Sequence, residues 1–181
     1  MANWCFNIVR FEGDEQALKD VEAFFISMAA KEKMENRGQL PAFSNNVSGG
    51  YFFYTDYKDG VLYYETKYCP NIEVLREVAD HFKVGFTSDY SEIDLQVFGQ
   101  ATYKHGLLKD ISLDPEDFNL FEYDQMENTW LFEGNSYVYD EEILEILLDR
   151  KKAASEFIQR KNQCRFVSKG AKHSNRARRK R

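Results

Sequence analysis

Proline, cysteine and histidine are all scarce, with 3 of each in 181 residues. Cys5, Cys69 and Cys164 follow no regular spacing, which excludes a disulfide framework and suits a reducing compartment. His81, His105 and His173 stand singly and share no ligand spacing with the cysteines, so no metal centre is expected. No apolar run approaches the length of a membrane span, and the N-terminus lacks the charged-then-apolar layout of a secretory signal. A cytoplasmic protein without membrane contact is expected. There is no glycine-rich phosphate loop, no Gly-x-Ser-x-Gly elbow and no His-Glu-x-x-His, so neither a cofactor nor an enzymatic activity is expected.

What the chain does have is aromatic residues, 15% of the total, with 15 Phe and 11 Tyr. That is ample for a folded core and excludes wholesale disorder. The net charge of −6 conceals a division. Of 24 basic and 30 acidic residues, 13 basic and one acidic lie in residues 150–181, leaving 11 and 29 in residues 1–149. An acidic body of net −18 thus precedes a basic stretch of net +12, the asymmetry of an interaction arm.

Along the chain, "NWCFNIVRF" alternates with the period of a strand, Trp4, Phe6 and Ile8 on one face and Cys5, Asn7 and Val9 on the other. Asp14 is placed to cap a helix over residues 14–35, whose apolar face carries Ala17, Leu18, Val21, Phe24, Phe25 and Met28. The segment "GGYFFYTDYKDGVLYYETKY" reads as a hairpin turning at Asp59-Gly60, a pair that tolerates the positive φ of a two-residue turn. In that register Lys58 pairs with Val61, Asp56 with Tyr63 and Tyr54 with Glu65. All the charges fall on the face of Phe52, Tyr54 and Tyr63, so the face of Phe53, Thr55, Leu62, Tyr64 and Thr66 is expected to meet the core. Pro70 opens a second helix with Ile72, Leu75, Val78, Ala79 and Phe82 inward, and "VGFTSDY" follows as a strand.

The order is βαββαβ, which predicts an α+β, ferredoxin-like antiparallel sheet with two helices on one face. A further hairpin around His105-Gly106 extends it, short strands or turns fall in residues 115–139, and a C-terminal helix runs over 140–167 with Ile143, Leu147, Ala154 and Ile158 as its stripe. Residues 1–149 are expected to form one domain with its core at about 1–113, and residues 168–181 a disordered basic tail.

"NWCFN" at residues 3–7, "YETKYCPNIEVLREVADHF" at 64–82 and "QATYKHG" at 100–106 together resemble the YubB ferredoxin-like domain family of bacterial, phage and plasmid proteins. The family has Trp-Ser-Pro where this chain has Tyr68-Cys69-Pro70. The resemblance covers roughly residues 1–108 and implies the ferredoxin-like fold and an accessory role on a mobile element or phage, without an activity.

Three places deserve weighing as sites. With the first and third strands as neighbours, parity is expected to put Trp4 and Tyr68 on the helix side and Cys5 and Cys69 on the opposite face. The plain reading is a packed aromatic pair and two half-buried thiols; the sharper one is a redox-sensitive or metal-touching thiol pair, Cys5 and Cys69. On the open sheet face, Phe52, Tyr54 and Tyr63 occupy positions where RNA-recognition modules stack bases. Asp56 and Glu65 interleave with Lys58 and Lys67 there, and an acidic body repels phosphate, so the hairpin of residues 95–113 or the segment after it is expected to cover this face instead. In the tail, Lys169, Lys172, Arg176, Arg178, Arg179, Lys180 and Arg181 form a candidate nucleic-acid contact. The expected function is a non-catalytic binding or accessory role toward a protein partner, with phosphate binding through the tail as the alternative.

Overall fold

The computed structural model describes residues 3–45 and 49–178, and of residues 159, 160 and 162–178 the backbone alone. The chain forms two compact units, residues 1–121 and 122–181. In the first, the elements are β1 (Trp4–Glu12), α1 (Glu15–Glu35), β2 (Phe53–Lys58), β3 (Val61–Lys67), α2 (Ile72–Phe82), β4 (Gly85–Glu92), β5 (Val97–Lys104) and β6 (Leu107–Ser112). They build a six-stranded sheet in the order β2-β3-β1-β4-β5-β6, with antiparallel pairing throughout. The first four strands, in the order β2-β3-β1-β4, are the split βαβ core of a ferredoxin-like domain, and β5 and β6 carry the sheet beyond it.

Both long helices pack on one face. Asp14 accepts a hydrogen bond from the Ala17 amide at 2.9 Å and starts α1, which buries Val21, Phe25 and Met28. α2 buries Ile72, Val74, Leu75, Val78 and Ala79. They close over Cys5, Val9 and Phe11 of β1, Leu62 and Tyr64 of β3, and Phe86 of β4. Asp59-Gly60 and His105-Gly106 make the expected turns, with φ of 52° and 78°, and 52° and 77°.

Three expectations about faces are corrected. In β1 the helix side holds Cys5, Asn7, Val9 and Phe11, so Trp4 lies on the open side and Cys5 in the core, the reverse of the parity expected from Tyr68. The expectation set Trp4 opposite Tyr68; the register sets it opposite Lys67, one residue earlier, which puts it on the open face. In β2 the alternation breaks: Phe53 pairs with Glu65 but Asp56 with Tyr63, so one extra residue, Tyr54 at φ 51°, bulges out. Phe52 is therefore fully buried and Phe53 turns to the open side, while Thr55 beyond the bulge returns to the core. Finally, the β5–β6 hairpin continues the sheet edgewise and does not fold over it. Among the described residues, no element of this unit covers the face opposite α1 and α2.

The second unit contains β7 (Glu122–Asp124), β8 (Thr129–Phe132), β9 (Asn135–Tyr137) and α3 (Asp140–Arg178). Glu133-Gly134, with φ of 49° and 80°, joins β8 to β9. Arg150 of α3 donates both guanidinium nitrogens to Glu133 at 2.7 Å and lies 5.3 Å from the centroid of the Phe132 ring. The buried stripe of α3 is Ile143, Leu144, Leu147 and Leu148. Ala154 and Ile158, expected on that stripe, are exposed, so the stripe ends at Leu148 although Ala153, Ala154, Phe157 and Ile158 continue the helical spacing. Among the described residues, no helix is long and apolar enough to cross a membrane.

Candidate functional site

The start of β1 and the junction between β3 and α2 are locked together by hydrogen bonds. The Tyr68 amide donates to the Asn3 carbonyl at 3.0 Å. Asn7 Nδ2 donates to the Cys5 carbonyl at 2.8 Å and to Thr66 Oγ1 at 3.1 Å, and Thr66 Oγ1 donates to the Cys69 carbonyl at 2.8 Å. The buried Tyr64 hydroxyl donates to Asn71 Oδ1, and Asn71 Nδ2 to the Gly50 carbonyl, each at 2.7 Å. Asn71 precedes α2 without capping it, its side chain being committed to this lock. "NWCFN" and "TKYCPN", distant in sequence, thus form one polar clasp, in which buried groups find partners they would lack if the two segments parted.

The clasp displays aromatic rings. Tyr68 sits at φ 70° and is 54% exposed; Tyr54, in the bulge, is 64% exposed. Left-handed backbone is unfavourable for a bulky L-residue, and here bonds from other elements hold it: Asn3 for Tyr68, and Glu32 of α1 for the bulge, accepting from the Tyr54 and Thr55 amides at 2.5 and 3.1 Å. Phe53 lies between them. Its ring is 5.0 Å from that of Trp4 and 6.4 Å from that of Tyr51, and Tyr54 stacks edgewise on Trp4 at 5.3 Å. Beneath Phe53 is Gly38, where a Cβ would fall 2.5 Å from the ring. Lys67 Nζ stands 5.3 Å above the ring centroid.

On one side of the Phe53–Lys67 pair is a hollow of about 590 Å³ lined by Trp4, Tyr54, Glu32, Lys33 and Arg37. On the other is one of about 930 Å³ lined by Tyr51, Tyr68, Cys69, Asn71 and Leu108. The two make an aromatic cleft at the end of the sheet where β1 begins and β3 ends. It continues onto the open face through Phe6 and Tyr63, 56% and 42% exposed.

Cys5 and Cys69 are free thiols in different surroundings, Cys5 buried and Cys69 exposed. Burial pushes the Cys5 thiol up to about 12, opposed in part by its hydrogen bond with Thr66, while Cys69 and Glu92 nearby add to the rise. A thiol held protonated in this way is a poor nucleophile and a poor ligand. Glu65, between Phe6 and Phe53 in register, is raised by desolvation. Among the described residues no cluster of three or more His, Cys, Asp or Glu is placed to hold a metal. Of the basic tail, Lys169, Lys172, Arg176 and Arg178 are described only as helical backbone, and Arg179, Lys180 and Arg181 lie outside the described residues.

Sequence reasoning found Tyr54 and Tyr63 but placed Phe52 beside them and Trp4 and Phe53 in the core. The β2 bulge accounts for Phe52 and Phe53 and leaves no local trace, since Glu32 acts on it from 22 residues away in the chain; the register of Trp4 with Lys67 accounts for Trp4.

Residues 50–133 match the family model described as the ferredoxin-like domain in Api92-like protein. The match begins after α1 and supports a ferredoxin-like domain in this chain; the name YubB is not confirmed by it. No curated protein and no solved structure matches the chain.

Proposed function

We propose that this is a non-catalytic binding or accessory protein, and that its working surface is the aromatic cleft with the adjoining open face of the sheet. The observation that carries this reading is the pair Tyr54 and Tyr68. Each ring is exposed on strained backbone, each is held there by a hydrogen bond from a distant element, and the two flank Phe53 and Lys67. Strain of this kind costs stability and persists where a surface depends on it. The burial of the Cys5 thiol, which holds it protonated, supports a packing role for it rather than a nucleophilic one. A mobile-element or phage origin rests on the resemblance to YubB domains. The expectation of a protein partner rests on the acidity of residues 1–149, and the alternative, phosphate binding by the tail, on the charge of residues 150–181.

Replacing both tyrosines by glycine tests the reading, because glycine adopts positive φ without penalty and removes the ring. Tyr54→Gly/Tyr68→Gly is expected to keep the thermal midpoint and to lose whatever the full-length protein retains in crosslinked affinity capture. Unchanged capture by a folded double variant would remove the cleft from the proposal.

A further inference from the structure

We infer that the partner held on this surface is a single-stranded nucleic acid, lying along β1 and β3 with bases stacked on Trp4, Phe6 and Tyr63 and phosphates met by lysines at both ends of the strip. The inference rests on the reading of the aromatic surface as the working one, and reverses the preference for a protein partner that bulk acidity suggests.

The geometry comes first. β1 and β3 are neighbours, in the register Trp4 to Lys67, Phe6 to Glu65 and Ile8 to Tyr63. From Trp4 to Arg10 the strip is about 20 Å long at roughly 3.3 Å per residue. That is room for the two or three bases that a sheet of this kind stacks. Within the first unit the face is left open because β5 and β6 extend the sheet sideways, and Phe6 and Tyr63 on it are exposed.

Local charge differs from the bulk. Of the carboxylates on this face, Asp89 is paired with Arg10 at 3.4 Å and Glu12 with Lys104 at 2.9 Å. Glu32 in the cleft is spent on two backbone amides, while Glu65, raised by desolvation, lies opposite Phe6 within the strip. Asp56 is left against Lys58 on its own strand and Lys67 on β3, neither of which has an ion-pair partner among the described residues. Lys67 stands at the Trp4 end of the strip, and at the other end Lys58 and Arg10 flank Val61 from the two neighbouring strands. Rings in the middle and cations at the ends suit an anionic chain with unpaired flat bases. A duplex keeps its bases in the stack, so exposed rings add nothing to its affinity.

Fluorescence anisotropy with labelled mixed-sequence 20-mers of single-stranded DNA, single-stranded RNA and duplex DNA, from about 50 to about 200 mM salt, tests this on the full chain. The expected result is single-strand binding at least tenfold tighter than duplex binding. Phe6→Ala/Tyr63→Ala should weaken it tenfold or more, while ending the chain at Val167 weakens it less and flattens the salt dependence. Both substituted positions are exposed, so circular dichroism should report an intact fold; ultraviolet crosslinking of an unmodified oligonucleotide to Trp4, Phe6 or Tyr63 needs no variant. Absence of binding at the lowest salt, equal affinity for duplex, or loss on truncation with no effect of Phe6→Ala/Tyr63→Ala each overturns the inference. If oligonucleotides fail to bind while Tyr54→Gly/Tyr68→Gly still abolishes capture of a protein, the inference falls and the proposed working surface stands. If neither double variant changes anything that the chain binds, both fall.

Discussion

At the scale of single residues, the side chains that matter are the ones whose surroundings contradict their type. Tyr54 and Tyr68 adopt backbone that tyrosine avoids, and Cys5 lies with no exposed surface among apolar neighbours. For Cys5 this has a consequence in pH. The folded chain holds the thiol proton up to about 12, whereas an unfolded thiol releases it near its ordinary value of about 8.5. Between those values the folded state binds more protons, so the stability this group contributes is complete below that lower value and is lost as pH rises toward 12. Urea unfolding from pH 8 to about 11 should show the decline, and Cys5→Ala should make it shallower; an unchanged slope would dissociate Cys5 from it. The same burial separates the two thiols in reactivity. Iodoacetamide at neutral pH should label Cys69 in the native protein and leave Cys5 untouched until denaturant is added.

At the scale of elements, both hairpins of the large sheet were legible because Asp59-Gly60 and His105-Gly106 announce their turns locally. So were α1 and α2, whose apolar residues recur at helical spacing and whose starts are marked by Asp14 and Pro70. The bulge in β2 was not legible, since a carboxylate on α1 sustains it and no residue near Tyr54 advertises it. Nor was the direction of the second hairpin: the pattern of residues 97–112 suits a strand pair that covers a face as well as one that prolongs an edge. Glu32→Ala removes the acceptor for two amides and is expected to cost about 1.5 kcal/mol, at the low end of charge-assisted hydrogen bonds because the site is partly exposed. It should also alter the fluorescence of Trp4, whose ring leans on Phe53 and Tyr54. A variant with wild-type stability and emission would show that the bulge is sustained otherwise.

At the scale of the whole molecule, the apolar core of the large sheet is drawn, among the described residues, from residues 5–108. The sheet closes all its pairings among residues 4–112. A chain of residues 1–121 is therefore expected to fold alone, with a single cooperative urea transition and the far-ultraviolet signature of a mixed sheet and helix. A broad, non-cooperative transition would count against the independence of that unit. Net charge is misleading at this scale. The acidic excess of residues 1–149 is real, yet the open face carries its own balance, since two of its carboxylates are already paired with cations, Asp89 with Arg10 and Glu12 with Lys104.

Element order, both helices and the turn positions followed from the sequence alone, because periodicity, caps and turn residues act over a few neighbours and need no partner from elsewhere. Which side of β1 is buried, where β2 slips by one residue, and that Trp4, Phe53, Tyr54 and Tyr68 converge were decided only in the folded chain. Each depends on groups far apart in sequence, Asn3 with Tyr68, Glu32 with Tyr54 and Thr66 with Asn7, whose hydrogen bonds exist only when the sheet has brought them together.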